Sequence, residues 1–167
     1  MSTALPATAV IIPALNEERY IIPCLDSLLA DRPACLHQII VVDGGSTDRT
    51  VELVRDMARR QPGIALLHNP RRLQAAAVNL AAHAAPAEIG VLLRADAHCL
   101  YPRGFVHDCV AALVARDAAS VVVPLRTEGR GGLQRAIAAA QNSRFGNGGS
   151  AHRIGVTDRY VEHGHHA

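Results

Sequence analysis

Apolar residues follow two alternating rhythms along this chain: short unbroken β-branched runs, and longer stretches in which they recur every three or four positions. Thr8–Pro13, His37–Val42, Ala65–His68, Ile89–Leu93 and Ser120–Pro124 are of the first kind. A run without a polar residue at every second position predicts a strand covered on both faces. Helical stripes lie between these runs. Ile21, Cys24, Leu25, Leu28 and Leu29 mark one, and Val51, Val54, Met57 and Ala58 mark a second that ends near Pro62-Gly63. Leu73, Ala76, Ala77, Leu80 and Ala84 share one face of an Ala-rich third. Phe105, Val106, Val110, Leu113 and Val114 are the apolar positions of a fourth over Gly104–Arg116, and Leu133–Gln141 predicts a further one. Asn16 reads as the N-cap of the first helix, with Glu17 and Glu18 in its first turn, where the helix dipole favours carboxylates. Pro23 conflicts with that start, so the helix either begins after Glu17 or kinks at Pro23.

Strands and helices alternating at this spacing predict βαβ units and an α/β fold with a mostly parallel central sheet flanked by helices. Right-handed crossovers then gather Pro13–Glu17, Asp43–Asp48, Asn69–Arg72 and Arg94–His98 along one rim, at the carboxyl ends of the strands. Open α/β sheets take their ligands at that rim. Beyond Pro124 the pattern weakens. Asn142–Ser150 is rich in Gly and Asn, and Arg153–Ala167 has no strong period. The expected division is a nucleotide-type α/β domain over 1–125 and the start of another region over 126–167, interrupted before its last segment packs.

Composition narrows the function classes. In 167 residues, 49% hydrophobic and 19% charged, there is enough apolar surface for one real core. A formal charge of +2 without a basic run argues against nucleic acid, and 3% aromatics without Trp leave little for base stacking. Cys24, Cys35, Cys99 and Cys109 have neither C-x-x-C spacing nor disulfide-scaffold density, which points to a reducing, cytosolic setting. Met1–Pro6 carries no signal-peptide pattern, and no apolar run approaches the roughly 20 residues that span a bilayer.

Candidate chemistry concentrates on the rim. Arg94-Ala95-Asp96-Ala97-His98 puts a carboxylate and an imidazole two residues apart just past a strand, a compact oxygen-plus-nitrogen site for a metal or a phosphate. Asp43-Gly44-Gly45-Ser46-Thr47-Asp48 allows close backbone approach at its glycines, and Asp43 is placed to accept a base N–H or a ribose hydroxyl. An ordinary strand-to-helix turn would account for Gly45-Ser46 but not for Asp43. Arg71-Arg72 either faces a diphosphate or is solvated surface, and Asn79 falls on the inward half of its helix, where it needs a partner. No G-x-G-x-x-G, P-loop or G-x-S-x-G is present, which disfavours dinucleotide, P-loop and serine-hydrolase chemistry. The cluster at His163, His165 and His166 lacks zinc-ligand spacing.

Four of these segments, in this order, resemble glycosyltransferase family 2, with its GT-A (Rossmann-like) fold. They are Ile12-Pro13-Ala14-Leu15-Asn16-Glu17, Val41–Asp48, the Asn69…Asn79 segment and Asp96-Ala97-His98. The Arg-Ala-Asp-Ala-His form, Phe145–Ser150 and the His-Gly-His-His end resemble glucosyltransferases of succinoglycan biosynthesis. The resemblance implies transfer of a sugar, glucose in the first instance, from a UDP-sugar donor to a saccharide or lipid-linked saccharide acceptor, with inversion at the anomeric carbon. It assigns nucleotide-sugar contacts to Pro13, Ala14, Leu15, Asn16, Glu17, Asp43, Arg72, Arg94, Ala95 and Asp96.

The family's metal-binding D-x-D becomes Asp96 and His98. One charge fewer and a nitrogen donor suit Mn²⁺ better than Mg²⁺, and protonation of the ring competes with the metal. The family's catalytic base comes from a later acidic motif, expected here beyond residue 167; Asp158 and Glu162 are the nearest carboxylates and carry no motif. Further segments would bring membrane association at the cytoplasmic face of the inner membrane. Two alternatives remain. One is a non-catalytic nucleotide-sugar-binding module. The other is a sugar nucleotidyltransferase, disfavoured because no Gly-rich basic loop follows the first strand.

Overall fold

The structure, a computed structural model, describes residues 4–123, 127–128 and 131–143. Phe145–Ser150, Asp158, Glu162 and the His163–His166 cluster lie outside these residues. The chain divides into two compact units between Val114 and Ala115.

The first unit is built on four strands, β1 (Thr8–Ala14), β2 (Leu36–Asp43), β3 (Ile64–His68) and β4 (Val91–Arg94). They form one sheet in the order β3-β2-β1-β4, and every pair is parallel. The order runs outward from β1 to β3 and then jumps back to place β4 on the other side of β1. The β1/β4 boundary is therefore the switch point at which a crevice opens above the strand ends.

Four helices cover this sheet: α1 (Ile21–Leu29), α2 (Thr50–Arg60), α3 (Gln74–Ala84) and α4 (Phe105–Ala115). Alternate residues of β1 feed two cores, as strand geometry requires. Val10, Ile12 and Ala14 join Ile39 and Val41 under α1, α2 and α4, where Leu25, Val54, Val106 and Val110 are buried. Ala9 and Ile11 join Ile40 and Val42 on the opposite face, against Ala77 and Ala81 of α3. β1 and β2 are thus covered on both faces, as their unbroken apolar runs predict. β4 is only half-buried, with Leu92 exposed.

Several expectations are corrected. α1 begins at Ile21 after Tyr20, and Asn16 is not its cap. Pro23 is then the third helical residue, where a missing N–H costs little. Glu17 and Glu18 consequently precede the helix instead of occupying its first turn. α3 buries Ala77 and Ala81, whereas Leu73 and Leu80 are exposed. Small side chains let this helix close onto β1 and β2, and a Leu stripe would hold it away. Asn79 faces outward, and its carbonyl lies 2.7 Å from His83 Nδ1. Residues 120–123 form no strand, because a β-branched run becomes one only when a neighbour supplies its ladder; Pro124 lies outside the described residues. In the second unit, α5 (Gly132–Gln141) forms where helix was expected. Asn142 follows it and clasps Thr127 through both its amide atoms, at 2.9 and 2.7 Å.

Candidate functional site

A crevice of about 230 Å³ opens at the β1/β4 switch point. Pro13, Ala14, Leu15 and Glu17 line it from the end of β1, and Val42 and Gly44 from β2. Asn69, Arg72 and Leu73 come from the loop after β3, Gln74 and Ala77 from α3, and Asp96, Ala97 and His98 from the loop after β4. Seven residues proposed from sequence therefore meet: Pro13, Ala14, Leu15, Glu17, Arg72, Asp96 and His98. Asn16, Asp43, Arg94 and Ala95 sit beside the crevice without lining it.

The β4 loop carries the charged groups because strand alternation continues past the strand end. Ala95 and Ala97 are buried in the core, while the alternating Asp96 and His98 emerge into the crevice. Large residues at 95 and 97 would push the loop off α1. Asp96 Oδ1 accepts from Arg94 Nη2 at 2.7 Å, and both side chains are about four-fifths buried. His98 Nδ1 lies 3.0 Å from Glu17 Oε1, a contact that spans the crevice from β4 to β1.

The β1 and β2 loops are laced together. Asn16, in the left-handed region at φ 57°, donates its N–H to Ser46 Oγ at 2.9 Å and accepts from Thr47 N–H at 2.8 Å. Glu17 N–H donates to Thr50 Oγ1 at 2.8 Å, and Glu18 N–H to Asp48 Oδ2 at 3.0 Å. Thr50, fully buried, in turn donates its hydroxyl to Asp48 Oδ1 at 2.5 Å. Partial burial opposes the charge on Asp48, but the Thr50 hydroxyl and the Thr50 and Glu18 amides outweigh it and hold this carboxyl below the usual range. Asp43 is buried and spends its carboxylate on the Gly45 and Ser46 amides, at 2.9 and 3.1 Å. Gly45 has φ 89°, and a Cβ there would lie 3.2 Å from Arg72 Nη2, so the guanidinium packs where only glycine fits.

The family model for Glycosyl transferase family 2 matches residues 9–160. This chain belongs to that family. It is 41% identical over 161 residues to the succinoglycan biosynthesis protein ExoA of Rhizobium meliloti, covering 96% of this chain and 49% of that protein. It is 34% identical over 97 residues to the dolichyl-phosphate beta-glucosyltransferase ALG5C of Trichomonas vaginalis, covering 53% of this chain and 29% of that one. The chain thus spans half the length or less of these relatives.

Among solved structures, the mannosyltransferase PcManGT of Pyrobaculum calidifontis, in complex with GDP-Man and Mn²⁺, superposes with a TM-score of 0.59 at 31% identity, over 73% of this chain and 35% of that one. S. aureus TarS 1–349 in complex with UDP-GlcNAc gives a TM-score of 0.62 at 24% identity, over 75% and 36%. The fold of this family 2 chain is the GT-A fold.

Some residues that shape the crevice were given no role in the sequence. Buried Asn69 accepts from Arg71 N–H at 3.2 Å and donates its amide to the Leu73 carbonyl at 2.9 Å, which shapes the loop presenting Arg72 and Leu73. Asn-Pro directly after a strand was the available signal. The Tyr101 hydroxyl accepts from Asp96 N–H at 2.7 Å and donates to the Asp96 carbonyl at 3.2 Å. Burial raises its phenol well above the ordinary value. Thr50 lay hidden in a motif that reads as a helix start.

For a divalent metal, the donor set fits. Among the described residues no three His, Cys, Asp or Glu side chains converge on one point. Asp96 and His98 supply one oxygen and one nitrogen on the same lip, so diphosphate oxygens and water would complete the shell, the arrangement typical of metal–nucleotide sites.

Proposed function

We propose that this chain carries the donor site of an inverting glycosyltransferase. The enzyme would move a hexose, glucose in the first instance, from a UDP-sugar to a saccharide or lipid-linked saccharide acceptor in exopolysaccharide assembly. One observation carries the reading: in a family 2 chain, the switch-point crevice brings Arg72, Asp96 and His98 together beside the Pro13–Glu17 loop. PcManGT, with its nucleotide sugar and Mn²⁺, and the succinoglycan protein support the donor class and the pathway class.

In this reading Pro13, Ala14, Leu15 and Glu17 hold the nucleoside. Asn16 and Asp43 keep the two loops shut behind it, with Asp43 beside the base. Arg72 faces the diphosphate. Arg94 holds one oxygen of Asp96, and Ala95 seats that loop in the core. Asp96 and His98 would hold Mn²⁺ or Mg²⁺, which supplies charge neutralisation for the departing diphosphate. An acceptor hydroxyl, relieved of its proton by a carboxylate base, attacks the anomeric carbon as the bond to the UDP oxygen breaks; the base is assigned to no described residue. No described helix is long and apolar enough to cross a membrane. The proposed location is nevertheless the cytoplasmic face of the inner membrane, where a lipid-linked acceptor would be met.

Calorimetric titration of UDP, UDP-glucose and GDP-mannose, each with Mn²⁺ and with EDTA, tests the donor site. Metal-dependent binding of the two uridine ligands is expected. A folded sample that binds none of them overturns the reading, and preference for the guanosine ligand replaces the donor. Binding without transfer to any acceptor fraction would favour the non-catalytic module.

A further inference from the structure

Among the described residues, the contact between His98 and Glu17 is the side-chain bridge across the crevice that joins a proposed metal ligand to a carboxylate on another loop. Its geometry determines which ring nitrogen is available. A carboxylate has no proton to offer in its ionised form, so at 3.0 Å from Glu17 Oε1 the Nδ1 atom carries the hydrogen. In the neutral ring the lone pair then resides on Nε2. His98 is 60% exposed and joins the crevice lining, so its ring gains little orientation from packing. Glu17 is the better-held partner. Its side chain is 17% exposed, and its backbone is anchored through Thr50 Oγ1 at 2.8 Å.

We propose that Glu17 is a positioning residue for the metal site: it fixes the tautomer and ring orientation of His98, so that Nε2 is the metal-binding atom. This rests on the assignment of Asp96 and His98 as metal ligands and goes beyond it by giving Glu17 a task other than nucleoside contact. A carboxylate behind a histidine ligand raises the basicity of the ligand nitrogen and removes the rotational freedom that binding would otherwise have to quench. The replacement of a second carboxylate by His98 therefore does not leave the metal with one negative group alone. Glu17 returns a charge to the site at one remove, through the ring.

The test uses the 167-residue chain with Mn²⁺ and UDP, read by calorimetry and by pulsed EPR, which detects nitrogen bonded to Mn²⁺. Nitrogen coupling is expected in the unmodified chain and absent in His98→Ala. Glu17→Ala should lower Mn²⁺ affinity about 10- to 100-fold, the range for loss of such a partner. Glu17→Gln, which still accepts from Nδ1 but carries no charge, should fall between. On the His98→Ala background, Glu17→Ala should cost much less, only what loss of its nucleoside contact takes from Mn²⁺ affinity through UDP. Equal losses on both backgrounds, or unchanged affinity and nitrogen coupling in Glu17→Ala, would overturn this proposal while leaving the metal site intact. Absence of nitrogen coupling in the unmodified chain would overturn the His98 ligand assignment itself, and this proposal with it. Thermal melts of each variant separate these outcomes from loss of the fold.

Discussion

The two walls of the crevice are made differently. The β1–β2 wall is preorganised: Asn16, Glu17 and Glu18 are tied to Ser46, Thr47, Asp48 and Thr50 by hydrogen bonds that mostly pair a side chain with a backbone group. The β4 wall carries the groups suited to metal and phosphate, Asp96 and His98. It is seated by two buried alanines and by Tyr101, whose ring packs on Phe105 with centroids 4.6 Å apart. Rigidity is concentrated on the wall proposed to recognise the nucleoside, and charge on the wall proposed to hold the metal and the diphosphate. The Glu17–His98 contact is the bridge between them.

Breaking the chemical wall should have the largest effect. Asp96→Ala removes the sole carboxylate on that lip and should lower Mn²⁺ affinity by more than about 100-fold, beyond what loss of an outer partner costs; it also takes this carboxylate from the largely buried Arg94 guanidinium, so the melting temperature should fall as well. Calorimetry and a thermal melt together check this. Breaking the preorganised wall should act on stability first. Thr50→Val leaves the part-buried Glu17 amide without its acceptor and Asp48 without its hydroxyl donor. A loss of about 2 kcal/mol is expected in urea unfolding, with UDP binding in Mn²⁺ weakened as well. Tyr101→Phe should cost less, about 1 kcal/mol, because the Asp96 carbonyl keeps Cys99 N–H at 3.2 Å and only the Asp96 amide is orphaned.

A pH-dependent effect concerns Cys24, which lies under the β4 wall with its Sγ 3.6 Å from the Asp96 carbonyl. Burial, reinforced by Cys99, Glu17 and Asp96, pushes its thiol up to about 12 from 9.0. The unfolded chain therefore releases this proton between those pH values while the folded chain holds it, so stability declines as pH rises through that window. Urea melts at pH 8 and pH 10.5 should show the decline, and native Cys24 should resist alkylation at pH 8. Rapid labelling without unfolding would show that the β4 wall opens locally.

Much of the candidate site was legible because its residues announce themselves by position. Asp43 ends a strand, Arg94–His98 follows one, and the parallel crossovers place both at one rim. What misled was local reading of residues whose partners are distant. Asn16 before a helical stripe looks like a cap, but its side chain is engaged by Thr47, 31 residues away. Asn79 looked buried because the helix was expected to turn its Leu face inward, and the sheet instead accepted the Ala face. Ser120–Pro124 had the composition of a strand, and its described part forms no ladder.

The sequence alone determined the alternation of strands and helices, the parallel sheet and the rim along which the candidate residues meet. Those follow from apolar periodicity and the handedness of crossovers, which are local and general. Tertiary structure decided that β4 sits beside β1, and so that Glu17 meets His98 from 81 residues away. It also decided that Asp43 turns to its own loop and that Thr50 and Tyr101 hold the walls. Such pairings depend on which loops the strand order makes neighbours, and no spacing along the chain encodes that distance.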